Sequence, residues 1–524
     1  MDRRAFLTAG CCGAGLLAAP AIINDARAQA IYAALDSAEK SRLAELALLL
    51  ARRAGATYAD IRISRSLFER LFVRDENLQS VSSTADVGFG LRMLINGAWG
   101  FVSSPYVTEA EIRRLASEAA DLARANARLQ SAPIVLEDIP AATTSWRMPM
   151  EIDPFTISAD DKAAHLIAIS AAARAAGASN CSASVTCVQE EKFFAASNGS
   201  VIEQTRTRVI PAFTATAVDR AAGRFAERNS LAPPRGQGWE YIAEADLVAE
   251  ATRAGEEARR KLTARSVEPG EYDLVLEQTH LSLTIHESIG HGTELDRALG
   301  FEANYAGTSF LTPSFVGQRY GSDLLNIVGE RTQPKGLATI GFDDDGVASA
   351  GNQFKIMENG VFRGYQMAIG YAPMIGQQRS NGCAYADSWA SFPIQRMPNI
   401  SMVPNETPTS LEALIGDVRR GIFIAGRGSY SIDQQRYNFQ FGGQLFFEIR
   451  NGRIGDMLRD VAYQARAPDF WSKMDGLGDA STYLLGGTAQ CGKGQPGQVA
   501  PTSHGACNAR FRAINVLNTE RQDI

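Results

Sequence analysis

The chain has 524 residues, 45% of them hydrophobic and 21% charged, with a formal net charge of −6. That length exceeds what one hydrophobic core organises and predicts two or three packed units. A slightly acidic chain with no long basic run lacks the electrostatic footprint of a nucleic-acid binder.

Residues 1–30 read as an export signal. Asp2-Arg3-Arg4-Ala5-Phe6-Leu7-Thr8 is a charged start with paired arginines, an apolar run extends from Ala9 to Ile23, and Ala28-Gln29-Ala30 offers an A-x-A cleavage site. The arrangement resembles a twin-arginine signal peptide, which predicts a periplasmic or otherwise exported protein. The apolar run is short and rich in Gly and Ala, and no later stretch is apolar enough to cross a bilayer, so no transmembrane anchor is expected after cleavage. Cleavage leaves Cys181, Cys187, Cys383, Cys491 and Cys507. An odd number means that at least one is free, metal-bound or paired between chains. Cys181 and Cys187 are near enough in sequence to bridge.

Asp36-Ser37-Ala38-Glu39 reads as a capping box opening a helix with Leu43, Leu46 and Leu50 on its apolar face and Gly55 as its stop. Residues 59–64 alternate as a strand, Ala59, Ile61 and Ile63 opposing Asp60, Arg62 and Ser64. Asn96-Gly97 between two apolar runs predicts a type I′ hairpin. Thr108-Glu109-Ala110-Glu111 caps a helix reaching Leu129, and Pro133 to Pro149 reads as a linker. The order then recurs, with an Ala-rich helix over 158–176, a turn at Asn198-Gly199 and a long helix around 240–263. Pro269-Gly270 marks a boundary. Beyond it the chain is strand-rich, with hairpin turns at Asn359-Gly360 and Asn451-Gly452 and one helix from Thr409 through Arg420, stopped by Gly421. The fold class is α+β. An N-terminal α/β domain of helices packed on sheets spans 31–265, divisible into related subdomains 31–149 and 150–265. A strand-rich C-terminal domain spans 266–524.

The chemistry concentrates in His286-Glu287-Ser288-Ile289-Gly290-His291. Two of only five histidines flank a glutamate there. Imidazole is the commonest zinc ligand, and an adjacent carboxylate can serve as base toward a water that the ion acidifies. Tyr272 to Glu277 reads as a short strand, and Thr279 as the cap of a helix with Leu281, Ile285 and Ile289 as its stripe. Residues five apart differ by about 140° around a regular helix, so His286 and His291 would not share a face. Two geometries stay open. A π-bulge near Gly290 brings the two histidines together, or His280, Glu287 and His291 line one face while His286 is packed. Candidates for a third ligand are Glu294, Asp296, His280 and His504, with Glu294 alternatively holding an imidazole from behind. Asp343-Asp344-Asp345-Gly346 lacks calcium-loop spacing and reads as a solvated turn.

With Gly292, the motif matches the HExxxH signature of the TldD/PmbA metallopeptidase family. Gly307-Thr308-Ser309, Glu358-Asn359-Gly360, Arg396-Met397-Pro398-Asn399 and Cys491-Gly492-Lys493-Gly494-Gln495 are similar to family segments in the expected order. The resemblance implies a zinc peptidase, one zinc per catalytic subunit, with His286, His291 and Cys491 as ligands and Glu287 as base, acting on short or unfolded peptides. It also implies a dimer, of the chain with itself or with a PmbA-like non-catalytic relative. Cys491 lies in a glycine-rich stretch that lets backbone approach a metal, and Lys493 is expected to favour the thiolate. Gly421 to Tyr430 reads as a strand ending in glycine-rich backbone, where a peptide could add as an extra strand. Gly426 and Gly428, with Arg396, are the candidate substrate-binding residues. Arg396 and nearby tyrosines are also candidates to stabilise an oxyanion. The competing reading is a non-enzymatic binding or regulatory subunit on the same fold, which has no need of this residue set.

Overall fold

The computed structural model describes residues 35–494 and 496–520, and the export-signal reading lies outside them. Helix α1 (Ser37–Arg53) buries Leu43, Ala44, Ala47 and Ala51. Its contact stripe is thus built from small residues rather than from Leu46 and Leu50. Strands β1 (Tyr58–Arg74) and β2 (Asn77–Ile95) form a long antiparallel pair. Asn96 and Gly97, both at positive φ (52° and 74°), then turn the chain straight into β3 (Ala98–Ser104), the geometry a type I′ turn requires. Thr108 accepts from the Glu111 N–H to open α2 (Glu109–Asn126).

After β4 (Thr143–Arg147), the order of helix, three strands and helix repeats. It runs through α3 (Ala159–Ala175), β5 (Asn180–Ala196), β6 (Val201–Asp219), β7 (Arg224–Asn229) and α4 (Leu247–Lys261). The helix expected around 240–263 is broken into Glu240–Glu244 and α4. Asp246 between them adopts a left-handed backbone (φ 41°), and its side chain caps α4 at the Ala249 N–H. Because β1 pairs with β5, both units share one seven-stranded sheet, β3-β2-β1-β5-β6-β4, with β7 also on β6.

The alternation at 59–64 does not separate a core face from a wet one, since all six residues are buried. Burying Arg92 and Lys192 demands counter-charges, and the loop at 343–345 supplies them. Arg92 meets Asp60 (2.6 Å) and Asp345 (2.7 Å), and Lys192 meets Asp344 (2.7 Å). Asp343 accepts from the N–H groups of Asp345, Val347 and Ala384. The expected solvated turn is therefore a buried anchor on the first sheet.

The second half contains β8 (Arg265–Ser266), β9 (Gly270–Leu276) and α5 (Gln278–Ile285). A four-stranded sheet follows, built from β10 (Ile327–Glu330), β11 (Phe354–Glu358), β12 (Val361–Phe362) and β13 (Asn399–Met402). Helix α6 (Leu411–Gly416) is shorter than expected, because Val418 is buried and Arg420 already begins the next strand. That strand is β14 (Arg420–Ala425), followed by β15 (Tyr430–Ile432), β16 (Asn438–Gly442), β17 (Leu445–Arg450), β18 (Arg453–Arg459), β19 (Val461–Arg466) and β20 (Met474–Leu477). A hairpin of β21 (Leu484–Lys493) and β22 (Gln498–Ala506) leads to β23 (Ala509–Asn518).

Ten strands form one sheet, β15-β16-β19-β23-β9-β14-β17-β18-β8, with β20 on β23. β14 lies inside it, parallel to β9 and antiparallel to β17. Residues 421–425 thus offer no free edge, and that edge belongs to β15. The α5 stripe of Leu281 and Ile285, continued by Ile289, packs with Leu274, Leu276, Ile422, Phe441 and Phe511. Full burial contributes about 1.5–3 kcal/mol per such side chain, which fixes the helix against the sheet. The five cysteines among the described residues are all free. Cys181 and Cys187 are six positions apart along β5, about 20 Å at roughly 3.3 Å per residue, too far to bridge. No helix among the described residues is long and apolar enough to cross a membrane.

Candidate metal centre

Glu277, not Thr279, caps α5 by accepting from the Thr279 N–H. The helix then widens into a π turn over His286–Gly290, followed by a 3₁₀ turn at His291–Thr293. The His291 N–H donates to the His286 carbonyl. This five-residue bond stacks residues that a regular helix would splay apart, and the two rings lie 4.8 Å apart, centroid to centroid. The local sequence permits the wide turn. A β-carbon on Gly290 would sit 2.7 Å from Met397 Sδ. The loosened carbonyls find partners, since the Tyr320 hydroxyl donates to Ser288 O (2.6 Å) and Gln366 Nε2 to Gly290 O (2.6 Å). Of the two open geometries, the π turn is the one formed. His280 is tied into the core between Gly426 O and the Tyr463 hydroxyl, both at 2.9 Å, and burial lowers its pKa to about 4.

Cys491 arrives from 200 residues away on β21, which lies against α5 where Gly486 faces Ser282. A register shift between Thr488 and Cys491 re-aims the strand there. Arg396 clamps the hairpin by donating to Cys491 O and to Gln498 O (2.9 Å). Cys491 Sγ ends 3.5 Å from His291 Nε2. The donor atoms of His286, His291 and Cys491 all lie within 4.8 Å of one another.

This trio fits a divalent ion. Nitrogen and sulfur ligands on a tetrahedral zinc stand about 3.6 Å apart, close to the His291–Cys491 separation. The hydrogen bonds also leave the correct nitrogens bare. His504 Nδ1 reaches the Ile400 carbonyl (3.2 Å), so it carries the proton. His504 Nε2 then accepts from His286 Nδ1 (2.6 Å), leaving His286 Nε2 free. His291 Nδ1 donates to Glu294 (2.9 Å), leaving its Nε2 free. Burial keeps the imidazoles neutral, lowering His291 to about 3 and His286 well below its ordinary value. Burial pushes the Cys491 thiol up to about 11, with the Arg396 charge pulling the other way. A bound cation is what would hold it as a thiolate.

Lys493 does not serve that purpose. Its side chain is fully buried and engaged by Glu294 at 3.0 Å and Asp296 at 2.8 Å. Glu287 is 5% exposed, with Oε1 4.0 Å from His286 Nε2. Burial raises its pKa, against the charges of Arg436, Arg427 and Arg297. The tyrosine beside it is Tyr430 on β15, whose hydroxyl is pushed up first by the Glu287 charge.

Arg396, Gly426 and Gly428 are placed in packing positions. Arg396 is 1% exposed and spent on the two carbonyls of the hairpin. Gly426 bonds Thr279 and His280, and a β-carbon on Gly428 would lie 2.4 Å from Gly443 O. His504 entered the sequence reading only as a possible ligand, and Arg427 and Arg436 not at all. No local pattern marks them, because only tertiary packing brings them to the trio.

Two neutral imidazoles, a thiol and an adjacent glutamate in a mixed α+β fold have the composition of a hydrolytic metal site, the class to which metallopeptidases belong. Three family models match in order, the PmbA/TldA metallopeptidase domain 1 over residues 59–123, its central domain over 152–265 and its C-terminal domain over 269–518. The chain belongs to the PmbA/TldD metallopeptidase family. A metalloprotease of Methanocaldococcus jannaschii is 27% identical over 450 residues, covering 86% of this chain and 94% of that protein. A zinc metalloprotease TldD homolog of Saccharolobus solfataricus is 22% identical, covering 85% and 96%. The crystal structure of TldE from Thermococcus kodakarensis shares the fold with a TM-score of 0.70 at 15% identity, covering 90% of this chain and 99% of that one.

Proposed function

We propose that the protein is a zinc-dependent peptidase acting on short or unfolded peptides. The observation that carries the reading is the buried His286, His291 and Cys491 trio with both Nε2 atoms bare and Glu287 alongside. Three protein ligands leave a fourth position open, the mark of a catalytic rather than a structural site. An ion held there supplies a Lewis acid that polarises the scissile carbonyl and acidifies water. Glu287 accepts the proton from the attacking water and returns it to the leaving amine. Glu294 and His504 hold the two imidazoles in their ligating tautomers.

The test is incubation of a pool of unstructured peptides with the purified protein, read by mass spectrometry beside elemental analysis. One zinc per chain is expected, with fragments that disappear on chelation and return when zinc is restored. A zinc-free protein that yields no chelator-sensitive fragments fits the non-enzymatic subunit and ends the peptidase reading. His504→Ala is expected to weaken zinc binding about 10–100-fold, the usual effect of losing an outer partner of a ligand. Competition with a chromophoric chelator measures this, and an unchanged affinity in a folded variant removes His504 from the site.

A further inference from the structure

The hairpin that carries Cys491 is interrupted just below it. Thr488 pairs with Thr502 and Cys491 with Ala500, so β21 takes three steps where β22 takes two. The extra residue breaks the ladder, and the tip beyond it does not inherit its place from the base. The base is held by the core. The Thr502 hydroxyl donates to Pro398 O (2.6 Å), and the Leu337 N–H to the Ser503 hydroxyl (2.9 Å). The tip needs anchors of its own. On the β21 side they are Lys493, with its carboxylates, and the Gly494 N–H, which donates to Glu302 (3.0 Å). On the β22 side two come from one loop, residues 386–393, between the paired segments Ala384–Tyr385 and Ile394–Gln395. Gln498 Nε2 donates to Phe392 O (2.7 Å), and the Val499 N–H to Asp387 Oδ2 (2.9 Å). Val499 and Gln498 lie opposite Gly492 and Lys493, the two residues after Cys491.

That loop has no regular structure of its own, and the first sheet sets its place. Gly88 and Gly90 are alternate residues of β2 and share one face. A β-carbon on Gly88 would collide with the Trp389 ring, and one on Gly90 would lie 2.7 Å from Trp389 O. The Trp389 indole N–H donates to Asp86 (2.9 Å) on the same strand. The Phe392 ring meets Trp99 and Phe101 of β3 edge-on, at centroid distances of 5.8 and 5.7 Å. Arg62 donates to Ser391 O (2.8 Å), and Lys192 to Ala386 O (2.9 Å). The Ser391 hydroxyl in turn donates to Asp387 Oδ1 (2.6 Å), which fixes the carboxylate whose other oxygen receives Val499. The stretch Asp86-Val87-Gly88-Phe89-Gly90 is thus a socket for one indole, and the loop that fills it holds the hairpin tip.

We propose that Trp389 is a positioning residue for the third metal ligand. Through the 386–393 loop, the first sheet sets where Cys491 Sγ stands relative to His286 and His291. The inference rests on the reading of the trio as a metal centre. The two histidines are brought together by the π turn, whose carbonyls are held by Tyr320 and Gln366. Loosening the loop is therefore expected to cost the sulfur ligand and to leave the two nitrogens in place.

The test is cobalt(II) binding to the metal-free full-length protein. Cobalt(II) takes nitrogen and sulfur donors as zinc does, and a cobalt–thiolate bond absorbs in the near ultraviolet. The wild-type protein is expected to show that band at one cobalt per chain, and Cys491→Ser to lack it. Trp389→Ala empties the socket, whereas Asp387→Ala cuts the tie to Val499 and leaves the socket filled. Each is expected to bind cobalt about tenfold or more weakly, as losses around a ligand do, and to show a reduced band at saturation. Should Trp389→Ala not fold, Asp387→Ala decides alone. Leu166→Ala, a cavity in the core of the first half, controls for lost stability and is expected to keep the full band. A band of wild-type strength in the loop variants overturns the proposal, and so does an equal loss in Leu166→Ala. Failure of the reading beneath looks different. A wild-type protein without the band, or a Cys491→Ser variant that retains it, removes the thiolate ligand itself and the proposal with it.

Discussion

Glu287→Ala is expected to retain its zinc and to lose turnover by about 10²–10⁴-fold, the range for removing a positioned general base. Geometry separates the two effects. The carboxylate oxygen stands 4.0 Å from His286 Nε2 and is not one of the three clustered donors. Truncating it therefore takes no ligand atom from the trio. Its environment suits proton transfer, because burial raises its proton affinity while Arg436 and Arg427 keep the ionised form within reach. A carboxyl tuned upward takes a proton from water more readily than an exposed one and can still give it to an amine. Elemental analysis and the rate of fragment release measure the two properties on one sample. Wild-type turnover, or loss of zinc together with turnover, would each end the assignment of Glu287 as base.

Elements governed by local chemistry were legible in the sequence. Asn96-Gly97 takes the positive φ values of its turn, Thr108 caps the helix it precedes, and the Leu281, Ile285 and Ile289 stripe faces the core. The π turn was legible as one of two options. What selects it are the contacts of Tyr320, Gln366 and Met397, which lie 32, 76 and over a hundred residues away. Failures have the same origin. Asp343 to Asp345 look solvated until Arg92 and Lys192 are known to be buried beside them. Lys493 looks like a partner for Cys491 until three carboxylates claim it. Cys491 itself was reached through family resemblance, since its glycine-rich segment permits a ligand without singling one out. Periodicity tells which face of an element is apolar, not which distant segment covers it.

That covering is what Lys493→Met tests. The ammonium is fully buried, 3.0 Å from Glu294, 2.8 Å from Asp296 and 3.8 Å from Glu302. Methionine keeps the length of the chain and removes its charge. Breaking a buried network from one side leaves uncompensated carboxylates and costs about 3–5 kcal/mol, which chemical denaturation reads as an earlier unfolding midpoint. The loss is expected to spread to the metal site. Burial pushes the Glu294 carboxyl up, but Lys493 and His291 hold it well below the usual range. Without the ammonium it takes up a proton more easily, and a neutral acid holds the His291 Nδ1–H more weakly. Zinc affinity should therefore fall together with stability. Adding Glu294→Gln removes one stranded charge yet keeps a neutral oxygen to accept from His291, so it is expected to recover part of the stability but not of the zinc affinity. If Lys493→Met unfolds at the wild-type denaturant concentration and binds zinc as tightly, the buried charges neither stabilise the fold nor support the ligand. If stability falls but zinc affinity does not, Glu294 orients His291 independently of Lys493.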